Sequence, residues 1–219
     1  EDAATFTVIA QRIRHRRVLP RRRFLHKDDD SDSPVYQNLE PRARNTSIPY
    51  VYGDWGLSAG SGNGSLSIPA VCTNMAASQK TFKVCDHGLL SITRVMKNAV
   101  ALSLTTQVNN ICLTDGTFGI ATSVSYSGTT DTIAVNCKGT KTINGTLIEK
   151  PMDVLRHMQT AWLGLTGTDL NVTAYHTVNV SHTTTEVIRR FVSGEQSSEV
   201  LVKELLNESQ VDMRFVGGK

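Results

Sequence analysis

Thr117-Phe-Gly-Ile-Ala-Thr-Ser-Val-Ser-Tyr-Ser-Gly-Thr-Thr-Asp-Thr-Ile-Ala-Val-Asn-Cys137 is the stretch that decides the fold. In an extended chain Phe118, Ile120, Val124 and Tyr126 share one face, and the small or hydroxylated Gly119, Ala121, Ser123 and Ser125 share the other. A return run sets Ile133 and Val135 against Thr132, Ala134 and Asn136. Alternation of this kind predicts strands with one apolar face. Asp115-Gly116, Ser127-Gly128, Lys138-Gly139 and Asn144-Gly145 supply turns, because glycine admits positive φ. A meander is therefore expected at about 105–114, 117–127, 130–137 and 140–149. From Asn98 to Asn136 the only charges are Asp115 and Asp131. Such a ribbon suits a soluble sheet lying on helices. It also suits a membrane hairpin that inserts Phe118, Ile120, Val124, Tyr126, Ile133 and Val135.

Working outward, Leu89, Ile92, Val95, Met96, Ala99 and Val100 recur at helical spacing, and Asp86 can cap a helix over about 87–104. That helix is the second membrane-insertion candidate. Further upstream, Ile48–Tyr52 predicts a strand, Gly53–Gly64 a glycine-rich loop, and Ser65–Val84 one or two more strands. Downstream, Pro151 opens a helix over about 152–165, with Gly164 or Gly167 as its stop. Asn171–Ser181 alternates as a strand, which puts His176 on a core face. A helix near 197–206 and a strand near 211–216 follow. Antiparallel strands with two or three helices packed on one face give an α+β sandwich. The basic arm 1–47 stands apart from a single domain over 48–219.

The net charge of +3 hides a strong asymmetry. Arg12, Arg14, Arg16, Arg17, Arg21, Arg22, Arg23 and Lys27 precede Asp28, Asp29, Asp30 and Asp32. The basic run has almost no interleaved aromatics and is followed by acid, so no nucleic-acid partner is expected. Leu19-Pro20-Arg21-Arg22-Arg23 resembles the substrate of a furin- or kexin-like protease. Cleavage is expected at Arg17, Arg23 or Arg44, whereas Arg189-Arg190 fits the end of a strand or helix. Six sequons, at Asn45, Asn63, Asn144, Asn171, Asn179 and Asn207, predict N-glycosylation. The chain begins at Glu1, which fits a processed terminus. Cys72, Cys85, Cys112 and Cys137 form no metal-binding spacing. In a secreted chain they predict two disulfides of open connectivity. All four lie between 72 and 137, so a fragment cut at Arg23 or Arg44 carries no cysteine and stays only by packing.

Gly56-Leu-Ser58-Ala-Gly60 matches the nucleophile-elbow pattern but runs into Ser61-Gly-Asn-Gly where a helix is required. His87, His157, His176 and His182 are scattered. No catalytic residue, metal or cofactor is expected, and the chain does not read as an enzyme. Cys85-Asp86-His87-Gly88, followed by Met96, Asn98 and Ala99, resembles the second subunit of virus-encoded yeast killer toxins. The resemblance implies a secreted, antifungal α/β sandwich that meets a cell-wall or membrane receptor and permeabilises the target lipid membrane. Insertion implies a homo-oligomeric pore. The alternative expectation is a viral-envelope or surface-adhesin binding module without toxic activity.

Overall fold

A computed structural model describes residues 18–19, 22–26, 35–56, 66–142, 144–170, 172–181 and 188–208. Its strands are β1 (Val18–Leu19), β2 (Leu25–His26), β3 (Val35–Tyr36), β4 (Tyr50–Tyr52), β5 (Ile68–Cys72), β6 (Lys80–Lys83) and β7 (Ser91–Lys97). Next come β8 (Val100–Leu102), β9 (Val108–Cys112), β10 (Thr117–Ile120) and β11 (Ile133–Lys138). Helix α1 (Pro151–His157) runs into a π turn at Met158–Trp162, and α2 (Val172–Ser181), β12 (Arg190–Val192), β13 (Gln196–Ser197) and α3 (Ser198–Glu208) complete the order.

The class is α+β. The chain groups into two units: residues 1–19, 148–188 and 195–219 in one, and 20–147 with 189–194 in the other. Among the described residues all three α-helices belong to the first unit, and the large sheet and a 3-10 turn at Pro41–Ala43 to the second. The boundary expected at residue 47 is not where the contacts divide the chain. Phe24, Leu39, Ala43 and Ile48 form a buried cluster of the sheet unit, with Tyr36 and Val71 against it. Three apolar side chains of the arm, Phe24, Leu39 and Ala43, thus pack with Ile48 in one core.

The large sheet has the order β8-β7-β11-β5-β6-β10-β9. Its two edge strands, β8 and β9, are consecutive in sequence and joined by residues 103–107 alone. Six strand spacings span about 29 Å in a flat sheet. Six Cα steps reach at most about 21 Å, and Gln107 N–H and Val108 N–H both turn back to Ser103 O. The sheet must therefore curl until its edges approach. Strand β5 makes the corner: Ile68–Ala70 pair with β11, whereas Val71 and Cys72 pair with β6. Inside the curl lie Ile68, Ala70, Cys72, Phe82, Val95, Val108, Phe118, Ile120, Ile133, Val135 and Cys137.

Three sequence expectations change here. The segment 87–104 is the β7–β8 hairpin and not a helix. Between β11 and β7 the register jumps, with Asn136 opposite Arg94 and Cys137 opposite Ile92, so Thr93 is an extra residue. A bulge of this kind moves same-face neighbours from two residues apart to three. Ile92 and Val95 thereby acquire the spacing of a helix while lining one sheet face. Asn98 and Ala99, at φ 50° and 67°, form the two-residue turn. The segment 171–181, expected as a strand, is helix α2 from Val172 onward. It buries Tyr175 and leaves His176 exposed, because the Tyr175 hydroxyl donates to Gln159 of the π turn. Packing overrides the period-two pattern here. The third change is at 140–149, where one bridge, Lys141 to Leu147, replaces a strand.

Helix α1 starts at Pro151, and after the π turn Gly164 ends the run at φ 71°. Helix α3 coincides with the helix expected near 197–206 and buries Leu201, Val202 and Leu205. The strand expected at 211–216 lies outside the described residues.

Candidate functional site

The residues proposed to enter lipid are the interior of the curled sheet. Phe118, Ile120, Ile133 and Val135 are at most 2% exposed. Val124 and Tyr126 are half-buried against the same core. The strand expected over 117–127 ends at Ile120 and the rest of that run is loop, Gly119 and Asn136 of the expected polar face are buried too, and the two strands do not pair with each other. Strand β10 lies between β6 and β9, and β11 between β5 and β7. Phe82 stacks on Phe118 with ring centres 5.5 Å apart and meets Tyr126 edge-on at 5.0 Å.

The intervening loop 121–132 is held by polar contacts at several points. Glu40, fully buried, pairs with the Arg42 guanidinium and accepts from Tyr126 Oη at 2.9 Å and from Cys72 N–H at 3.0 Å. Arg42 also donates to Asp131 O at 2.8 Å. The Asp131 carboxylate closes the loop by accepting from Ser127 N–H at 2.8 Å. It also ties the loop to the β7–β8 hairpin through Asn98 Nδ2 at 2.7 Å and Lys97 Nζ at 3.1 Å. Hydrogen bonds from Asn98, Ser127 N–H and Lys97 hold the Asp131 carboxyl below its ordinary range. Leaving this seat would take the Tyr126 hydroxyl from the buried Glu40 carboxylate and part Lys97 from Asp131; a buried acceptor that loses its partner costs about 1–3 kcal/mol.

Cys85-Asp86-His87-Gly88 is a structural clamp on β4. His87 Nε2 accepts from Val51 N–H at 2.8 Å, which places the ring proton on Nδ1, where it is donated to Gly88 O. The ring sits beside Tyr50 and Tyr52 at 6.2 and 6.0 Å. Asp86, its carboxyl pushed up by burial and pulled back by Arg22, meets the Arg22 guanidinium at 3.4 Å. Burial pushes the Cys85 thiol up to about 12.

All four cysteines are free thiols in the structure, in place of the two expected disulfides. Strand register accounts for Cys72. Two strands, β6 and β10, separate Cys72 on β5 from Cys112 on β9, roughly 14 Å along the sheet. In the β5–β11 ladder Ala70 faces Ile133, so Cys137 stands six residues, about 20 Å, beyond the position opposite Cys72. In the β5–β6 ladder Cys72 faces Phe82, three residues or about 10 Å short of Cys85. A disulfide needs Cα atoms within about 7 Å. Cys72 therefore has no partner in this fold, and two intrachain bridges cannot coexist in it.

Of the processing residues, Arg23 and Arg44 are exposed, and Arg17 lies outside the described residues. Arg190 starts β12, opposite Tyr52. Asn45, Asn144 and Asn207 are exposed. Asn63 and Asn171 lie outside the described residues, as do the side chain of Asn179, residues 57–60 of the elbow pattern, and His182. His157, half-buried, meets Trp162 edge-on at 5.6 Å. Among the described residues no group of three or more His, Cys, Asp or Glu is placed to hold a metal ion. No helix among them is long and apolar enough to cross a membrane.

The edge of the sheet unit is free of charge. Residues 98–114 carry no charge, and they build the β7–β8 turn, both edge strands and the 103–107 link between them. Val100 is 68% exposed and Ile111 40% exposed. Around them stand the exposed Asn98, Ser103, Thr105, Thr106 and Asn110. The sequence showed this stretch only as an absence of charge. No local motif ties Glu40, Arg42 and Lys97 to this loop, and the one signal in the sequence is the isolation of Asp131 in an uncharged run.

No protein-family model, no curated protein and no solved structure matches the chain.

Proposed function

We propose that the chain is a secreted, non-catalytic binding module of the surface-adhesin or envelope type, which recognises an uncharged glycan or protein surface on a cell. The observation behind this reading is the uncharged, hydroxyl- and amide-rich rim 98–112, exposed on both edge strands while the apolar ribbon is spent on the core. Amide and hydroxyl side chains match sugar hydroxyls in donor and acceptor capacity. Val100 and Ile111 add apolar area of the kind that stacks on a sugar face or a peptide. A killer-toxin role fits the same reading through its receptor-binding step. Permeabilisation by 117–137 would require the sheet to come apart.

The test is binding of purified protein to intact yeast and mammalian cells and to a glycan array. Val100→Asp with Ile111→Asp should lower binding at least tenfold and leave the thermal midpoint within about 2 °C, since both side chains are exposed. Binding unchanged in the double variant would overturn this rim as the contact surface. Dye release from liposomes by folded protein would restore the membrane reading.

A further inference from the structure

Of the two described bonds expected to be cut, Arg23–Phe24 lies in a segment bridged to Ser47, and Arg44–Asn45 lies in the turn just before that bridge, with Asn45 at φ 62°. Arg22 O accepts from Ile48 N–H, Phe24 N–H donates to Thr46 O, and Phe24 O accepts from Asn45 N–H, each at 2.8 Å. Arg23 is bridged to Ser47, and its guanidinium donates to Asn45 O at 3.4 Å. Phe24, the residue after the first cut, is 1% exposed within the cluster of Leu39, Ala43 and Ile48. The residue after the second cut, Asn45, has its N–H committed to Phe24 O. Thr46 N–H, next along, is committed to Ala43 O at 3.0 Å.

We propose that this pairing is a single lock on both processing sites. A serine endoprotease of basic specificity hydrolyses either bond only while residues 22–26 are undocked, and the folded protein refuses both. Such a protease takes its substrate as an extended strand and closes around both of its sides. In the folded unit one side of 22–24 is already occupied by 45–48, and the side chain that must enter the protease beyond the cut is buried. The step itself is ordinary hydrolysis. Water adds across the Arg23–Phe24 amide, leaving the Arg23 carboxylate and the Phe24 ammonium. Processing is thus placed before this segment docks, on the nascent or locally opened chain. The inference concerns the basic tract alone and does not rest on the rim being a binding surface.

Trypsin tests it without assuming any particular cellular protease. The initial rate at which a new Phe24 N-terminus appears, read by mass spectrometry, is compared between folded full-length protein and a synthetic peptide spanning Val18–Asp29. The folded protein should be cut at least 1000-fold more slowly at this bond. A difference of less than tenfold overturns the lock. Phe24→Ala removes the anchor and should speed cutting at both Arg23 and Arg44 by tenfold or more. Acceleration at Arg23 with no change at Arg44 would show two independent sites and refute the shared lock. Should this variant not fold, wild-type protein in urea below its unfolding midpoint gives the same decision: the two cuts must accelerate together.

Discussion

Gly139→Ala probes the seat of β4 on the sheet unit. A Cβ at this position would lie 2.5 Å from Val51 O and 2.9 Å from Tyr52 Cα. Both are backbone atoms and cannot swing aside, so β4 must move by almost 1 Å to restore ordinary contact. That shift strains the Thr140 N–H to Val51 O bond, 3.0 Å, and the Gly139 N–H to Gly53 O bond, 2.9 Å. It also disturbs a strand whose three residues are at most 1% exposed. Two weakened backbone bonds cost about 2 kcal/mol, and overpacking adds about 1–3 kcal/mol. The stiffer unfolded chain returns about 0.4–1 kcal/mol. The net loss is about 3 kcal/mol, or a fall of about 10 °C in the melting of this unit. Urea unfolding followed by tryptophan fluorescence would read it, because Trp55 lies three residues beyond β4 and its indole N–H donates to Tyr52 O. A variant within 0.5 kcal/mol of wild type would refute the account of how β4 is docked.

Ala99→Gly should stabilise the sheet unit by about 0.5–1 kcal/mol, because Ala99 is held at φ 67° in a turn that glycine enters without strain; calorimetry decides the sign. Alkylation of the native protein at pH 8 should label Cys112 first, the only one of the four cysteines that is not buried. In protein not alkylated beforehand, full denaturation without reductant should expose four reactive thiols, and a count of zero would contradict the register argument for Cys72. His157 is pushed down to about 4 by burial. Its folded value is below its unfolded one, so its contribution is complete above about pH 6.5 and is lost as pH falls toward 4. The loss for the helical unit is up to about 3 kcal/mol. His157→Gln should flatten that part of the stability profile.

Much of the sheet was legible because burial imposes alternation. Phe118/Ile120 and Ile133/Val135 were assigned their face correctly, and Gly116 and Gly164 do adopt the positive φ their turns need. What the pattern could not supply was partnership. Nothing in 117–137 states that its two strands pair with β6, β9, β5 and β7 and not with one another, since pairing over such distances is fixed by the curl of the whole sheet. The extra residue at Thr93 gave Ile92 and Val95 a helical interval, and the opposite error at 172–181 arose because Tyr175 finds Gln159 only in three dimensions. Charge dominates the composition of residues 1–47, yet Phe24, Leu39 and Ala43 pack with Ile48 and dock the described part of it. The polar lock around Glu40 joins residues more than 80 apart in sequence, beyond the reach of any local motif.

Hydrogen exchange at residues 118–120 and 133–137, measured with and without lipid vesicles, goes to the heart of the account. These amides should stay protected to the level of global unfolding, unchanged by a saturating excess of vesicles. Selective loss of protection there when lipid is added, with the rest of the sheet unit intact, would contradict it.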